Sequence, residues 1–127
     1  MDTQEAVTGF VQSEKIKSAL IWISQSIEVL NGLPEPDQNG AQTVIKTYLN
    51  MAGYEVQLMR KTALARETGR EIVIFWEEAE KHIDMALVML NSGMPNEITY
   101  HLTQALSQVT TVGQRAMIFL QKEGILA

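Results

Sequence analysis

Few residues in this chain are equipped for chemistry. There are two histidines, His82 and His101, and no cysteine. Without cysteine there is no thiol nucleophile, disulfide scaffold, zinc finger or iron–sulfur centre. Glu78-x-x-x-His82 and Glu97-x-x-x-His101 have the spacing that brings a carboxylate and an imidazole onto one helix face. Such a pair binds one cation or makes an ordinary surface hydrogen bond. Glu55 is the more unusual position. It interrupts an apolar arc formed by Tyr48, Met51, Ala52, Leu58, Met59 and Thr62. A carboxylate on a core stripe is costly unless it is paired or neutralised. Counted back from Gly69, Glu55 falls level with His82, and Lys17, Gln104 and Gln108 fall near the same height. The spacing predicts a mid-bundle polar layer of Glu55, His82, Lys17 and Gln104 or Gln108. Its bland role is to fix helix register. Its functional role is a ligand- or proton-handling site, where burial raises the carboxylate pKa and the histidine shares its proton.

Other chemistries lack their motifs. Di-iron bundles need Glu-x-x-His on two helices, and this chain has none. The magnesium site of all-alpha nucleotide pyrophosphatases pairs Glu-x-x-Glu with Glu-x-x-Asp on the next helix. Glu77-x-x-Glu80 supplies one half, Lys81 follows it, and no second pair exists. Glu77, Lys81 and Asp84 also point away from the apolar face of Ile72, Ala79 and Ile83. They read as a solvated charged face. No phosphate loop, nucleophile elbow or dinucleotide fingerprint occurs. No metal or cofactor is expected.

The elements that must position these residues are helical. Apolar residues recur at three- and four-residue steps in four segments, and no segment alternates like a strand. The helices are expected at about 4–31, 41–68, 70–91 and 96–123 of a single domain, 1–127. Gly32 in the left-handed conformation ends the first, and Pro34 and Pro36 keep the next from starting early. Ile16, Leu20, Ile23, Ile27 and Leu30 line the first helix. Val44, Ile45, Tyr48, Met51, Ala52, Leu58, Met59 and Thr62 line the second. The third buries Ile72, Phe75, Trp76, Ala79, Ile83, Ala86, Leu87 and Leu90. The fourth buries Ile98, Leu102, Ala105, Leu106, Val109, Val112, Ala116, Phe119 and Leu120. Short connections make this an all-α, up-down-up-down antiparallel four-helix bundle. A lone Gly69 would also allow helices two and three to run on as one. Leu30-Asn31-Gly32-Leu33-Pro34 resembles Leu90-Asn91-Ser92-Gly93-Met94-Pro95, as from a duplicated hairpin. Carried through that loop, Glu55 falls opposite Ala116.

The chain has 127 residues, 46% hydrophobic and 20% charged, with net charge −5. Scattered basic residues in an acidic chain disfavour nucleic-acid binding. Its apolar runs are too short to cross a bilayer, and its start, Met1-Asp2-Thr3-Gln4-Glu5, is no secretory signal. A cytoplasmic protein is expected. The four stripes leave apolar residues unused. Val11, Trp22 and Val29 on helix one, and Val73, Ile74, Met85 and Val88 on helix three, point outward, with Phe10, Met94 and Ile118 adding to them. Such a surplus predicts a homodimer or larger homo-oligomer through helices one and three, or a second protein on the same surface. The leading expectation is a non-enzymatic interaction module. The alternative is a small ligand- or metal-binding enzyme using Glu55 and His82.

Overall fold

The computed structural model describes residues 1–92 and 95–127. Gly93 of the Leu90–Pro95 loop match and the outward position assigned to Met94 lie outside the described residues. Regular structure in the described residues is helical throughout: α1 (Thr3–Asn31), α2 (Glu35–Leu64), a 3-10 turn at Glu67–Gly69, α3 (Arg70–Ser92) and α4 (Pro95–Lys122). Each helix packs on two others, α1 and α3 both resting on α2 and α4. The four therefore form a bundle in which α1 and α3 occupy one diagonal.

Local chemistry sets the helix ends. The Asp2 side chain accepts from the Glu5 backbone N–H at 2.8 Å and caps α1. The other end departs from expectation. Gly32 stays right-handed at φ −94°, with its N–H turned back onto the carbonyls of Leu30 and Val29. Among the described residues the left-handed conformation belongs to Gly124, at φ 73°. The second helix also begins earlier than the prolines suggested. Pro34 is its N-cap and Pro36 lies in its first turn. There a proline gives up no hydrogen bond, because the first N–H groups of a helix lack internal partners. α2 then stops at Leu64 and α3 starts afresh at Arg70, so the two are not one helix. The 3-10 turn between them is tight. A Cβ on Gly69 would stand 2.5 Å from the Ala63 carbonyl oxygen, so only glycine fits.

The core has a simple arithmetic. The buried positions are Ala6, Gly9, Ser13, Ile16, Leu20, Ile23 and Ile27 on α1, and Ile45, Leu49, Ala52, Val56, Met59 and Ala63 on α2. On α3 they are Ile72, Trp76, Ala79, Ile83, Ala86 and Leu90, and on α4 Ile98, His101, Leu102, Ala105, Val109, Val112, Gly113, Ala116 and Leu120. Apart from His101 and Gly113, all four sets advance by steps of three and four, the spacing of a heptad seam. The stripes expected on α1, α3 and α4 follow these, with Leu30, Phe75, Leu87, Leu106 and Phe119 half-buried at their flanks and Ala6, Gly9 and Ser13 extending the α1 stripe beyond the expected one. The one on α2 does not. Val44, Tyr48, Met51 and Leu58 are exposed, and Leu49, Val56 and Ala63 take the core instead. Ile45, Ala52 and Met59 are common to both sets, and the other expected residues each lie one position before a buried one, a turn of about 100° around the helix.

Small residues let α1 and α4 approach closely. A Cβ on Gly113 would lie 2.6 Å from Ser13 Oγ, and one on Gly9 would touch Val112 and Ala116. The Ser13 hydroxyl is buried and donates to the Phe10 carbonyl at 2.9 Å. No helix of the described residues is long and apolar enough to cross a membrane.

Candidate functional site

The one-residue displacement of α2 decides what Glu55 does. Glu55 sits on the outer stripe with Val44, Tyr48, Met51 and Leu58, not in the core. Val56 occupies the core position beside it. Glu55 Oε1 accepts from Lys15 Nζ at 3.2 Å, across the α1–α2 seam. The expected partner Lys17 turns instead to Glu14, at 3.1 Å on its own helix. His82 lies on the opposite side of the bundle, where its Nδ1 meets His101 Nδ1 of α4 at 3.0 Å. Gln104 and Gln108 are half-buried on α4. The expected polar layer is therefore not assembled. Its two leading members belong to different seams.

Two arrangements take its place. The first is an apolar outer face on α1 and α2. Trp22, Val29 and Val44 are 62%, 65% and 68% exposed. They line one groove of about 450 Å³ together with Leu30, Leu33 and Ala41. On α1, Val11, Lys15, Ser18, Trp22, Gln25 and Val29 alternate by four and three. On α2, Val44, Tyr48, Met51, Glu55, Leu58 and Thr62 do the same. Each helix thus carries a second heptad row outside the bundle, mostly apolar on α2 and half apolar on α1. The charges that interrupt the two stripes, Lys15 and Glu55, neutralise each other.

The outward residues of α3 form no extension of this face. α1 and α3 are diagonal, so their outer faces point apart. Ile74 and Val88 are exposed, Met85 lies at the margin, and Val73 packs against the core. Glu77, Lys81 and Asp84 stand between them. Glu77, Lys81, Asp84 and Met85 share a polar pocket with Arg60 and Glu80. Arg60 Nε and Glu80 Oε2 form an ion pair at 2.5 Å across α2 and α3. Burial, and then the charge of Glu80, push the Asp84 carboxyl above its usual range. The expectation of a charged, solvated face on α3 holds, whereas a single apolar face joining α1 to α3 does not form. Phe10 packs in the core cluster around Ala6, Ala116 and Leu120, and Ile118 is exposed on α4.

The second arrangement is the histidine pair. His101 is only 5% exposed, and His82 is half-buried. Tyr100 meets both rings edge-on, with centroids 6.5 Å from His82 and 5.0 Å from His101. Glu78 Oε2 is 3.9 Å from His82 Nε2. Burial is the first cause that lowers the His82 pKa, and the charge of His101 adds to it. Among the described residues no group of three or more histidine, cysteine or carboxylate side chains converges as a metal site would. The sequence gives no reason to single out Tyr100, and it places His101 outside the expected polar layer. The i,i+4 glutamates drew attention to each histidine separately, and nothing in the spacing showed that the two face each other.

No protein-family model, curated protein or solved structure matches the chain.

Proposed function

We propose that this chain is a non-enzymatic helical interaction module that self-associates through the outer face of α1 and α2. The observation that carries this is the second heptad stripe on each of those helices. A bundle needs one such stripe per helix, and a second is what a helix shows when it packs on further helices. Exposed apolar stripes of this extent are uncommon on monomers. The occupant is a second copy, packed about a two-fold axis, because the face complements itself. It offers a projecting Trp22 and a groove beside it, and its charges are already paired. The repulsion implied by a net charge of −5 therefore does not fall on this face. The self-association expected from α1 and α3 is thereby reassigned to α1 and α2.

The same reading takes the bundle as up-down-up-down. Arg66 pairs with Asp2 and Lys15 with Glu55, Gln42 bonds Leu90 and Arg60 bonds Glu80, and Arg115 lies over Phe75 as His82 meets His101. In each series one number rises as the other falls. A duplicated hairpin also remains in the proposal, with a changed alignment. Ile45, Leu49, Ala52 and Val56 lie sixty residues before Ala105, Val109, Val112 and Ala116, all buried. Val56, not Glu55, is then the counterpart of Ala116.

Size-exclusion chromatography with light scattering tests the function. The wild type should run as a dimer or larger, and Trp22→Glu should run as a folded monomer. A wild-type monomer at high micromolar concentration overturns the proposal. An oligomer that Trp22→Glu leaves intact overturns the assignment to this face.

A further inference from the structure

The histidine pair holds a second message, independent of the outer face. The centroids of the two rings are 5.3 Å apart and their Nδ1 atoms 3.0 Å apart. The difference is little more than the two ring radii, so the nitrogens meet end to end rather than face to face. A metal ion bound by both would have to sit off that line, with both rings turned. One proton on the line suits the geometry, with one Nδ1 donating and the other accepting. We propose that His82 and His101 form a one-proton lock between α3 and α4, closed with one shared proton and opened by a second.

The physics is short-range. With one proton the pair is a hydrogen bond joining two helices. One added proton still leaves a neutral ring whose Nδ1 can accept; only when both rings are imidazolium do both nitrogens carry hydrogens aimed at each other, in a seam where His101 is almost wholly buried. The surroundings offer little relief. On α3, Glu78 favours the charged form of His82 from 3.9 Å, and Lys81 opposes it. On α4, Tyr100 presents a neutral ring, and Glu97, one turn before His101, is exposed. α2 gives Arg60 to Glu80 and turns Glu55 to Lys15 on α1.

The sign follows from linkage. The His82 pKa is lower in the fold than its ordinary 6.5, so the unfolded chain binds more protons below that pH. The stability tied to the closed lock is complete above about pH 6.5 and is lost as pH falls. Local opening should precede global unfolding, because the seam is where the second proton must enter.

The test is amide hydrogen exchange with imidazole nitrogen NMR on the full chain. Corrected for intrinsic rates, exchange in 79–86 and 98–105 should rise between pH 7.5 and pH 5, in the direction that the lowered His82 pKa sets. The amides of α1 should change less. The imidazole signals should show the two rings taking up protons in separate steps, with one Nδ1 protonated at neutral pH. His82→Asn retains a donor and an acceptor but cannot charge, and it should flatten the pH response. Two rings that titrate independently, or a seam whose exchange does not change with pH, would overturn the lock. Neither result depends on the oligomeric state.

Discussion

Replacing Gly113 by alanine probes the closest approach in the bundle. Alanine is the better helix former by about 1 kcal/mol, so an isolated helix would gain from the change. Here the new methyl would stand 2.6 Å from Ser13 Oγ and 3.3 Å from Ser13 Cβ. One response is rotation of the serine, which breaks its bond to the Phe10 carbonyl and leaves a buried hydroxyl unpaired, at about 1–3 kcal/mol. The other is separation of α1 from α4, an overpacking strain of about 1–3 kcal/mol. Set against the helix gain, Gly113→Ala should destabilise by roughly 1 kcal/mol. Ser13→Ala removes the nearer obstacle and leaves only the 3.3 Å contact. The double variant should therefore be more stable than the sum of the single changes implies, by about 1–2 kcal/mol. Urea unfolding of all four proteins, followed by circular dichroism at one pH, measures this. Additivity within about 0.3 kcal/mol, or a plain gain from Gly113→Ala, would show that α1 and α4 do not meet there.

Two further substitutions test the facing of α2. Leu49→Ala should cost about 2–5 kcal/mol, as deletion in a close-packed core does. Tyr48→Ala, one residue earlier, should change stability by less than about 1 kcal/mol under conditions that keep the chain monomeric, yet weaken self-association. Reversal of that order would return Tyr48 to the core. Glu55→Leu should alter monomer stability by under about 1 kcal/mol, since it removes an exposed ion pair. A gain of several kcal/mol in urea unfolding would mean that the carboxylate was buried after all.

The buried stripes of α1 from Ile16 onward, of α3 and of α4 are legible from spacing alone, because on each helix one apolar set is denser than any other. α2 has two. Ile45, Leu49, Ala52 and Val56 compete with Val44, Tyr48 and Met51, and aromatic and sulfur-bearing bulk favours the wrong set. The loop alignment added to the error. Matching Pro34 to Pro95 inserts one residue, and one residue moves α2 from its buried stripe to its exposed one. Leu49 and Val56, apolar residues with no place on the expected stripe, were the signal that the phase was off. The polar layer failed for the same reason, since Glu55 was assigned by that phase. The histidine pair could not be read at all. Side-chain meeting across a seam depends on the relative rotation of two helices, and one chain's periodicity fixes each rotation only to within a residue.

The twin stripes of α2 bear on how the chain folds. A helix that offers two apolar faces, one residue apart, gives the collapsing chain a nearly correct wrong answer. Rolled by one position, α2 would still bury Val44, Tyr48, Met51 and Leu58, but it would also drive Glu55 into the core away from Lys15. An unpaired buried charge costs several kcal/mol, enough to empty that trap. The glutamate that looks like a defect on the outer stripe therefore penalises the rolled register. Refolding of Glu55→Leu should accordingly show a slow phase that the wild type lacks, even where the equilibrium stabilities agree.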